Sequence, residues 1–152
     1  MHIVLVEPEI PQNTGNIART CVLTGTTLHL VGRLGFSLED RYLKRAGLDY
    51  WDKLEMHRWN SLSELFEAYP DNRFYLASTH AKTLFNNVRY TIDDMLIFGS
   101  ESCGLGPDIL SRYPDHLIRI PMKDYGRSLN LSNSAAVILF EAMRQLEYPG
   151  MV

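Results

Sequence analysis

Short apolar runs recur along the chain and are separated by longer stretches of mixed polarity. The runs cover residues 3–6, 28–31, 74–77, 95–98 and 117–120. Uninterrupted apolar runs of roughly four to eight residues are typical of strands that are buried on both faces of a parallel sheet. We therefore predict about five strands.

The stretches between these runs carry the signals that begin and end helices. Asn13 can cap a helix that Gly25 ends, and Ser132 or Asn133 can cap a last helix that extends to about residue 147. Further helices are predicted over residues 37–47 and 61–69, each of which begins with a capping box, and over residues 107–113. Strands that alternate with helices predict an α/β fold, with a mainly parallel sheet and helices on both faces.

Three connections that follow strands are rich in Asn, Ser, Gly and Arg, and they cover residues 7–16, 99–106 and 121–133. Ligands of parallel sheets bind beyond the carboxyl ends of the strands. Each segment also has an ordinary explanation, namely a tight glycine turn, helix capping, or an arginine (Arg19) on a solvated helix face. Their shared position at strand ends makes them the candidate site.

The last predicted helix is apolar on more than one side. One interpretation is a central core helix, and the other is a helix that contributes to a dimer interface, since an exposed apolar stripe is otherwise a liability. The pattern leaves both open. The first face carries Ala135, Leu139, Ala142 and Leu146, and the second carries Ala136, Phe140 and Met143.

Composition narrows the class of protein. The 152 residues fit one domain, and 45% hydrophobic with 22% charged residues is ordinary for a globular protein. We expect no membrane span, because no apolar run approaches about 18 residues, and no signal peptide, because residues 1–12 lack a basic segment and a cleavage site. Two cysteines are too few for a disulfide framework, so a cytoplasmic location is expected.

The net charge of −3 argues against a general nucleic-acid binder, but the charges are uneven. Residues 61–115 carry 4 basic and 8 acidic side chains, whereas residues 33–58 carry 6 and 5, and residues 119–127 carry 3 and 1. Any site for a polyanion is therefore expected in the last two stretches.

Common catalytic motifs are missing from the sequence. No histidine pair has metal-ligand spacing, so we expect no metal site, and each of the five histidines is interpreted as an ordinary core or surface residue. There is no phosphate-binding P-loop and no nucleophile elbow. Cys103 precedes a predicted helix, but it has no matched histidine and a passive role is favoured.

Taken in order, the three candidate segments resemble the three motifs of the SPOUT superfamily of trefoil-knotted RNA methyltransferases. The first is NTGNIAR at residues 13–19, and the second is FGSE at 98–101, with Gly104 and Leu105 after it. The third is RIPM at 119–122, followed by RSLNLSN at 127–133.

Segments 7–11, 45–50 and 148–150 are similar to the minimal, YibK-like branch of that superfamily, so the resemblance covers nearly the whole chain. That branch methylates the ribose 2′-hydroxyl of cytidine or uridine at the tRNA wobble position. The chain departs from the branch at Ser100 and Cys103 and over residues 123–126. These departures bear on RNA contacts more than on the chemistry.

The resemblance implies a single methyltransferase domain over residues 1–152, a C-terminal trefoil knot and a homodimer that packs through the first and last helices. It also implies that S-adenosylmethionine binds among the knot loops. Sequence patterns alone predict an unknotted sheet, because knots are very rare. Carried over by position, the cofactor contacts are Ala77, Gly99, Glu101, Ile120, Met122 and Ser128, with Glu101 expected mainly to shape its loop.

The implied reaction moves a methyl group from a sulfonium to a ribose hydroxyl. Arg19, Ser128 and Asn130 are the catalytic candidates. We expect Ser128 and Asn130 to hydrogen-bond the ribose or the cofactor, and Arg19 to clamp a phosphate and stabilise the developing alkoxide, because a guanidinium is not readily deprotonated. The candidate tRNA contacts are Asn13, Arg41, Lys44, Arg45, Lys123 and Arg127.

Three other functions are compatible with parts of the sequence. One is a nucleotide-binding α/β module without chemistry, and another is a hydrolase or redox protein centred on Cys103. The third is an enzyme of the same superfamily that methylates ribosomal RNA. Only the branch-like flanks and the missing RNA-binding extension separate this last function from a tRNA enzyme.

Overall fold

The computed structural model of the chain describes residues 1–38 and 51–152. Its strands form one sheet in the order β3-β2-β1-β6-β4-β7-β5, and every neighbouring pair is parallel. Of the predicted helix over residues 37–47, all but residues 37 and 38 lies outside the described residues. The strands are β1 His2–Val6, β2 Thr27–Val31, β3 Met56–Trp59, β4 Phe74–Ala77, β5 Thr83–Leu84, β6 Met95–Phe98 and β7 Leu117–Arg119.

The five predicted strands and the parallel sheet are confirmed, but β3 and β5 were missed. Strand β3 has the sequence MHRW and lies at one edge of the sheet, where polar side chains remain accessible. Strand β5 is only two residues long and forms the other edge. Neither strand is an uninterrupted apolar run, because an edge strand has less of its surface to bury.

In the described part of the chain, four α-helices accompany the sheet, and helix ends differ from the prediction at two caps. Helix α1 begins at Pro11 behind Ile10, so the prediction that Asn13 caps it is wrong and Asn13 lies in its first turn. Asn130, and neither Ser132 nor Asn133, caps α4. The stop at Gly25 and the cap at Ser61 are confirmed. The helices are α1 Pro11–Thr24, α2 Leu62–Ala68, α3 Pro107–Arg112 and α4 Leu131–Gln145.

Alternate residues of the central strands point to opposite faces, and each face has its own apolar core. Ile3 and Leu5 of β1 pack with helices α1 and α4, whereas Val4 belongs to the core that contains Leu65 of α2. This alternation confirms that helices cover both faces of the sheet. Among the described residues, no helix is long and apolar enough to cross a membrane.

Helix α4 is buried on one side only. Ala135, Leu139, Ala142 and Met143 are each 1% exposed or less, as expected of a core helix. Met143 belongs to the predicted second face and is therefore buried with the core, but Phe140 of the same face is 47% exposed. The core interpretation explains the first face and Met143, and it leaves the surface around Phe140 available for a partner.

Candidate active site at the carboxyl edge of the sheet

A cavity of about 660 Å³ lies beyond the carboxyl ends of β4, β6 and β7. The connections after β1, β6 and β7 all contribute to its wall, as their position in a parallel sheet predicts. Nine of the residues predicted for the site line it. They are Asn13, Ala77, Gly99, Glu101, Ile120, Met122, Arg127, Ser128 and Asn130.

The remaining predicted site residues are not in this wall. Arg19 lies on the exposed side of α1, and Lys123 lies in the exposed connection after β7. Arg41, Lys44 and Arg45 are outside the described residues. The structure thus brings together the expected cofactor contacts, but it does not bring Arg19 to the cavity of its own chain.

Two glutamates connect the segment before α1 to the segment after β6. The Glu101 carboxylate accepts hydrogen bonds from the backbone N–H groups of Glu9 (2.8 Å) and Ile10 (3.2 Å), at the start of α1. In return, the Glu9 carboxylate accepts from the backbone N–H (2.9 Å) and the hydroxyl (2.7 Å) of Ser102. The expectation that Glu101 shapes its loop therefore has a direct structural basis.

Asn13 and Asn130 extend this connection to the segment after β7. Asn13 Nδ2 donates to Glu101 Oε1 (2.9 Å), and its Oδ1 accepts from Asn130 Nδ2 (2.9 Å). Asn130 Oδ1 accepts from Ser132 N (2.9 Å), Ser132 Oγ (2.7 Å) and Asn133 N (3.3 Å), which caps α4. These hydrogen bonds, some of them to backbone N–H groups, form the edge network (Glu9, Glu101, Asn13 and Asn130), which joins all three segments.

Gly99 is required by close packing. A Cβ atom added there would lie 2.0 Å from the Gly104 carbonyl carbon and 2.1 Å from the Leu105 nitrogen. Ser100 and Gly104 also exchange two backbone hydrogen bonds (3.2 and 2.8 Å). By contrast, Gly104 has a φ of 67°, and no atom lies within 4 Å of its added Cβ. The turn therefore presents bare backbone next to open space in the cavity wall.

The sequence did not identify every lining residue. Ser78, Thr79 and His80 directly follow β4, and Arg119 is the last residue of β7. Their position at strand ends is the sequence signal that could have identified them, although the resemblance gives only Ala77 as a contact at the end of β4. Arg119 Nε is shielded from solvent and has no hydrogen-bond partner within residues 1–38 and 51–152.

Cys103 is exposed. In the described part of the chain, its thiol accepts a hydrogen bond from Ser102 Oγ, and its backbone N–H donates one to Ser100 Oγ. No histidine activates its thiol there. Residues 1–38 and 51–152 also contain no group of three His, Cys, Asp or Glu side chains that could hold a metal ion. These observations do not favour thiol chemistry.

The largest histidine pKa shift is in a second polar chain, away from the cavity. Trp59 Nε1 donates to His29 Nδ1 (2.9 Å), and His29 Nε2 lies 3.0 Å from His2 Nδ1. Because an indole N–H only donates, the neutral His29 ring carries its proton on Nε2 and donates it to His2. Burial, followed by the charges of His2 and His57, lowers the pKa of His29 to about 3.

Comparison with known proteins shows similarity to RNA methyltransferases over the full chain. A tRNA (cytidine(34)-2′-O)-methyltransferase of Methylovorus glucosotrophus is 46% identical over 151 residues, which cover 99% of this chain and 98% of the relative. A structure described as giving insights into the 2-OH methylation of C/U34 on tRNA is 42% identical, with a TM-score of 0.91 and coverage of 96% and 95%.

An AdoMet-bound rRNA methyltransferase of Sinorhizobium meliloti is more distant. It is 26% identical with a TM-score of 0.83, and the match covers 95% of this chain and 56% of that one. The expected resemblance is confirmed by a family model that matches residues 1–140. This chain belongs to the SpoU rRNA methylase family.

Proposed function

We propose that this protein transfers a methyl group from S-adenosylmethionine to the ribose 2′-hydroxyl of cytidine or uridine at position 34 of tRNA. The observation that carries the proposal is the convergence of three motif segments on one cavity, joined by the edge network. Support for the tRNA substrate comes from a relative of that name, 46% identical across nearly both full lengths.

The cavity fits the proposed cofactor in size and in chemistry. A volume of about 660 Å³ is within the ordinary range of roughly 300–1,000 Å³ for sites of small ligands. Ile118, Ile120 and Leu110 supply apolar wall for an aromatic base, and Gly104 leaves backbone exposed to a ligand. When bound, S-adenosylmethionine supplies an electrophilic methyl group on a positively charged sulfur.

Ser128 and Asn130 have different environments, which suggests different tasks. Ser128 is exposed in the cavity wall, where its hydroxyl can reach a ligand. Asn130 is already bonded to Asn13 and to the start of α4, so we assign it to positioning the cavity wall. Asn13 is 5% exposed and bonded at both ends, so we also place it in this framework and not in RNA binding.

Arg19 is proposed to clamp the phosphate beside the reacting nucleotide. A guanidinium is a poor general base and a good partner for phosphate oxygens, so we assign Arg19 to the stabilisation of negative charge. Because Arg19 does not line the cavity of its own chain, it must act on RNA that extends beyond this cavity or in the site of a second subunit. We propose a homodimer through α1 and α4, where Phe140 is exposed.

The variants Arg19→Lys and Arg19→Gln test this clamp. If bidentate phosphate binding is required, the rate of methyl transfer falls by about 100-fold or more in both variants. This is the range known for the removal of one hydrogen-bond donor to a transition state. If charge alone is required, Arg19→Lys stays near the wild-type rate. The measurement is the initial rate of methyl transfer at saturating cofactor.

The exposed connection after β7 is proposed as part of the tRNA surface. It carries Lys123 and Arg127 in an otherwise acidic protein, and Arg41, Lys44 and Arg45 are proposed to add to it. The trefoil knot, a single domain over residues 1–152 and a cytoplasmic location are further parts of the proposal. The knot rests on the resemblance of the sequence, the single domain on that resemblance and on the chain length, and the location on the small number of cysteines.

The test is methyl transfer from isotope-labelled S-adenosylmethionine to unmodified bulk tRNA, with the product digested to nucleosides. We expect label in 2′-O-methylcytidine or 2′-O-methyluridine. Label only when ribosomal RNA is offered would instead favour the ribosomal enzyme. Failure of the protein to bind the cofactor at all would favour a nucleotide-binding module without chemistry.

A further inference from the structure

Arg119 is a charged residue of the cavity wall whose Nε finds no hydrogen-bond partner among the described residues. It ends β7, and its backbone is held in register with Leu84 of β5. The side chain is half-buried, and its Nε is shielded from solvent without a hydrogen-bond partner in the part of the chain that the structure describes. Buried donors without a partner are rare in native proteins and require an explanation, especially in a group that stays charged.

No acidic side chain of the described residues provides that explanation. Within residues 1–38 and 51–152, the ion pairs are His57 with Glu55, Arg73 with Asp94, and Arg144 with Glu141. The carboxylate that shares the cavity wall, Glu101, is occupied by the start of α1 and by Asn13. The guanidinium of Arg119 therefore lacks an anion from this part of the chain.

A ligand can supply the anion. The burial of Arg119 within the cavity indicates which part of the ligand contacts its guanidinium. The other arginine of the wall, Arg127, is exposed in the connection after β7, where a phosphate of RNA has access. Arg119 is half-buried at the end of a strand, inside the cavity that fits the cofactor. The cofactor has one anionic group, the carboxylate of its methionine part. A planar guanidinium can bind a carboxylate with bidentate hydrogen bonds.

We propose that Arg119 anchors the carboxylate of the methionine part of S-adenosylmethionine and so selects the amino-acid end of the cofactor. This inference rests on the proposed function. It makes Arg119 a positioning residue for the reaction, since holding that end of the cofactor fixes where the sulfonium lies.

The test is calorimetric binding of two ligands, S-adenosylmethionine and decarboxylated S-adenosylmethionine, to the wild-type protein, to Arg119→Gln and to Arg119→Lys. We expect the wild type to bind the carboxylated ligand about 10- to 100-fold more tightly, as a hydrogen bond to a charged group implies. Arg119→Gln should bind both ligands with nearly equal affinity, and Arg119→Lys should recover part of the preference. The matched control is Arg58→Gln, an exposed arginine of β3 outside the cavity wall.

Comparing two ligands on each variant separates recognition from damage to the fold. An equal loss of affinity for both ligands in Arg119→Gln would show a structural role and overturn the inference. A preference for the carboxylated ligand that survives in Arg119→Gln would also overturn the inference. If the tRNA affinity of that variant were lower as well, Arg119 would be placed on an RNA phosphate. If the wild type binds neither ligand, the proposed function itself fails.

Discussion

The edge network at the cavity and the histidine chain (His2, His29 and Trp59) are both rows of hydrogen-bonded side chains, but they join different parts of the fold. The edge network links three connecting segments that are distant in sequence, and its members line or border the cavity. The histidine chain links three strands under helix α2, with His29 fully buried.

The difference lies in what each network leaves available to other molecules. The edge network holds backbone and side chains around open space, where a ligand can enter. The histidine chain closes on itself against Tyr69, whose ring meets those of His2, His29 and Trp59 edge-on. We infer that the first network serves function, whereas the second mainly fixes the pairing of β1, β2 and β3.

The largest effect is expected at Gly99, which packs the cavity turn against the end of β6. Gly99→Ala places a methyl group about 2 Å from the backbone of Gly104 and Leu105, which cannot yield as a flexible side chain would. We expect a loss of about 3 kcal/mol or more in the free energy of unfolding, since overpacking against backbone is severe. Urea titration measures it.

The matched control is Gly126→Ala. No atom lies within 4 Å of a Cβ added at Gly126 and its φ is not left-handed, so its stability should stay within about 0.5 kcal/mol of the wild type. Equal stability of the two variants would contradict the packing that the structure shows at Gly99.

A sequence shows Gly99 as part of a glycine-rich segment, but not why this glycine matters. The segment was correctly placed after a buried strand, because apolar runs and glycines are local signals. The contact with Gly104 and Leu105 depends on how the turn folds back onto β6, and the spacing of residues in the sequence does not predict that conformation. The same limit explains Asn13, which resembles a helix cap in sequence but is bonded to Glu101, 88 residues away.

The histidine chain was even harder to predict. His2, His29 and Trp59 lie in three different strands, and each has an ordinary explanation when taken alone. The pairing of β2 with β3 brings His29 opposite His57 and places Trp59 nearby. Strand β3 itself was missed, so the partners of His29 could not be named.

The second largest effect is expected at Glu101, which holds the edge network together. Glu101→Gln exchanges one carboxylate oxygen for an NH₂ group, which must face either the Glu9 N–H or the N–H donors of Ile10 and Asn13. We expect a loss of about 1–3 kcal/mol in stability, together with a large fall in methyl transfer. Thermal unfolding and the transfer rate are measured on the same preparation.

Glu67→Gln is the control for Glu101→Gln, because Glu67 is exposed on α2, outside both networks. It should change neither stability nor rate. Unaltered methyl transfer by Glu101→Gln would mean that the edge network does not organise the cavity.

An effect that is absent at neutral pH and appears only in acid is expected for the histidine chain. The pKa of His29 is about 3 in the fold, below an ordinary value of 6.5, so between these pH values the unfolded chain binds more protons. Stability is therefore complete above about pH 6.5 and falls as the pH decreases, by at most about 1.4 kcal/mol per pH unit for one proton. The pKa of His2 is also lowered, chiefly by burial and then by the terminal ammonium group, and it adds to the same trend.

His29→Gln removes this titration. We expect a flatter pH dependence of unfolding between pH 4.5 and 7, roughly the upper part of the window set by these pKa values. His80→Gln, at an exposed position, should keep the wild-type slope. A wild-type slope in His29→Gln would show that its ring is not the group that titrates.

The smallest effect is expected at the exposed basic residues beside the cavity. Lys123→Gln and Arg127→Gln should each weaken tRNA binding and reduce the salt dependence of log K by about one phosphate contact. Lys82→Gln, an exposed lysine outside the cavity wall, is the control. Filter binding at several salt concentrations measures the slope, and unchanged slopes in both variants would remove this surface from the tRNA interface.

The central claim is that the cavity presents a methyl group to the 2′-hydroxyl of nucleotide 34. The most direct test compares two otherwise identical tRNAs, one all-ribose and one with a single 2′-deoxyribose at position 34. We expect the all-ribose tRNA to accept labelled methyl from S-adenosylmethionine and the 2′-deoxy tRNA to accept none. Equal labelling of both would contradict the claim, since the methyl group would then go to another atom.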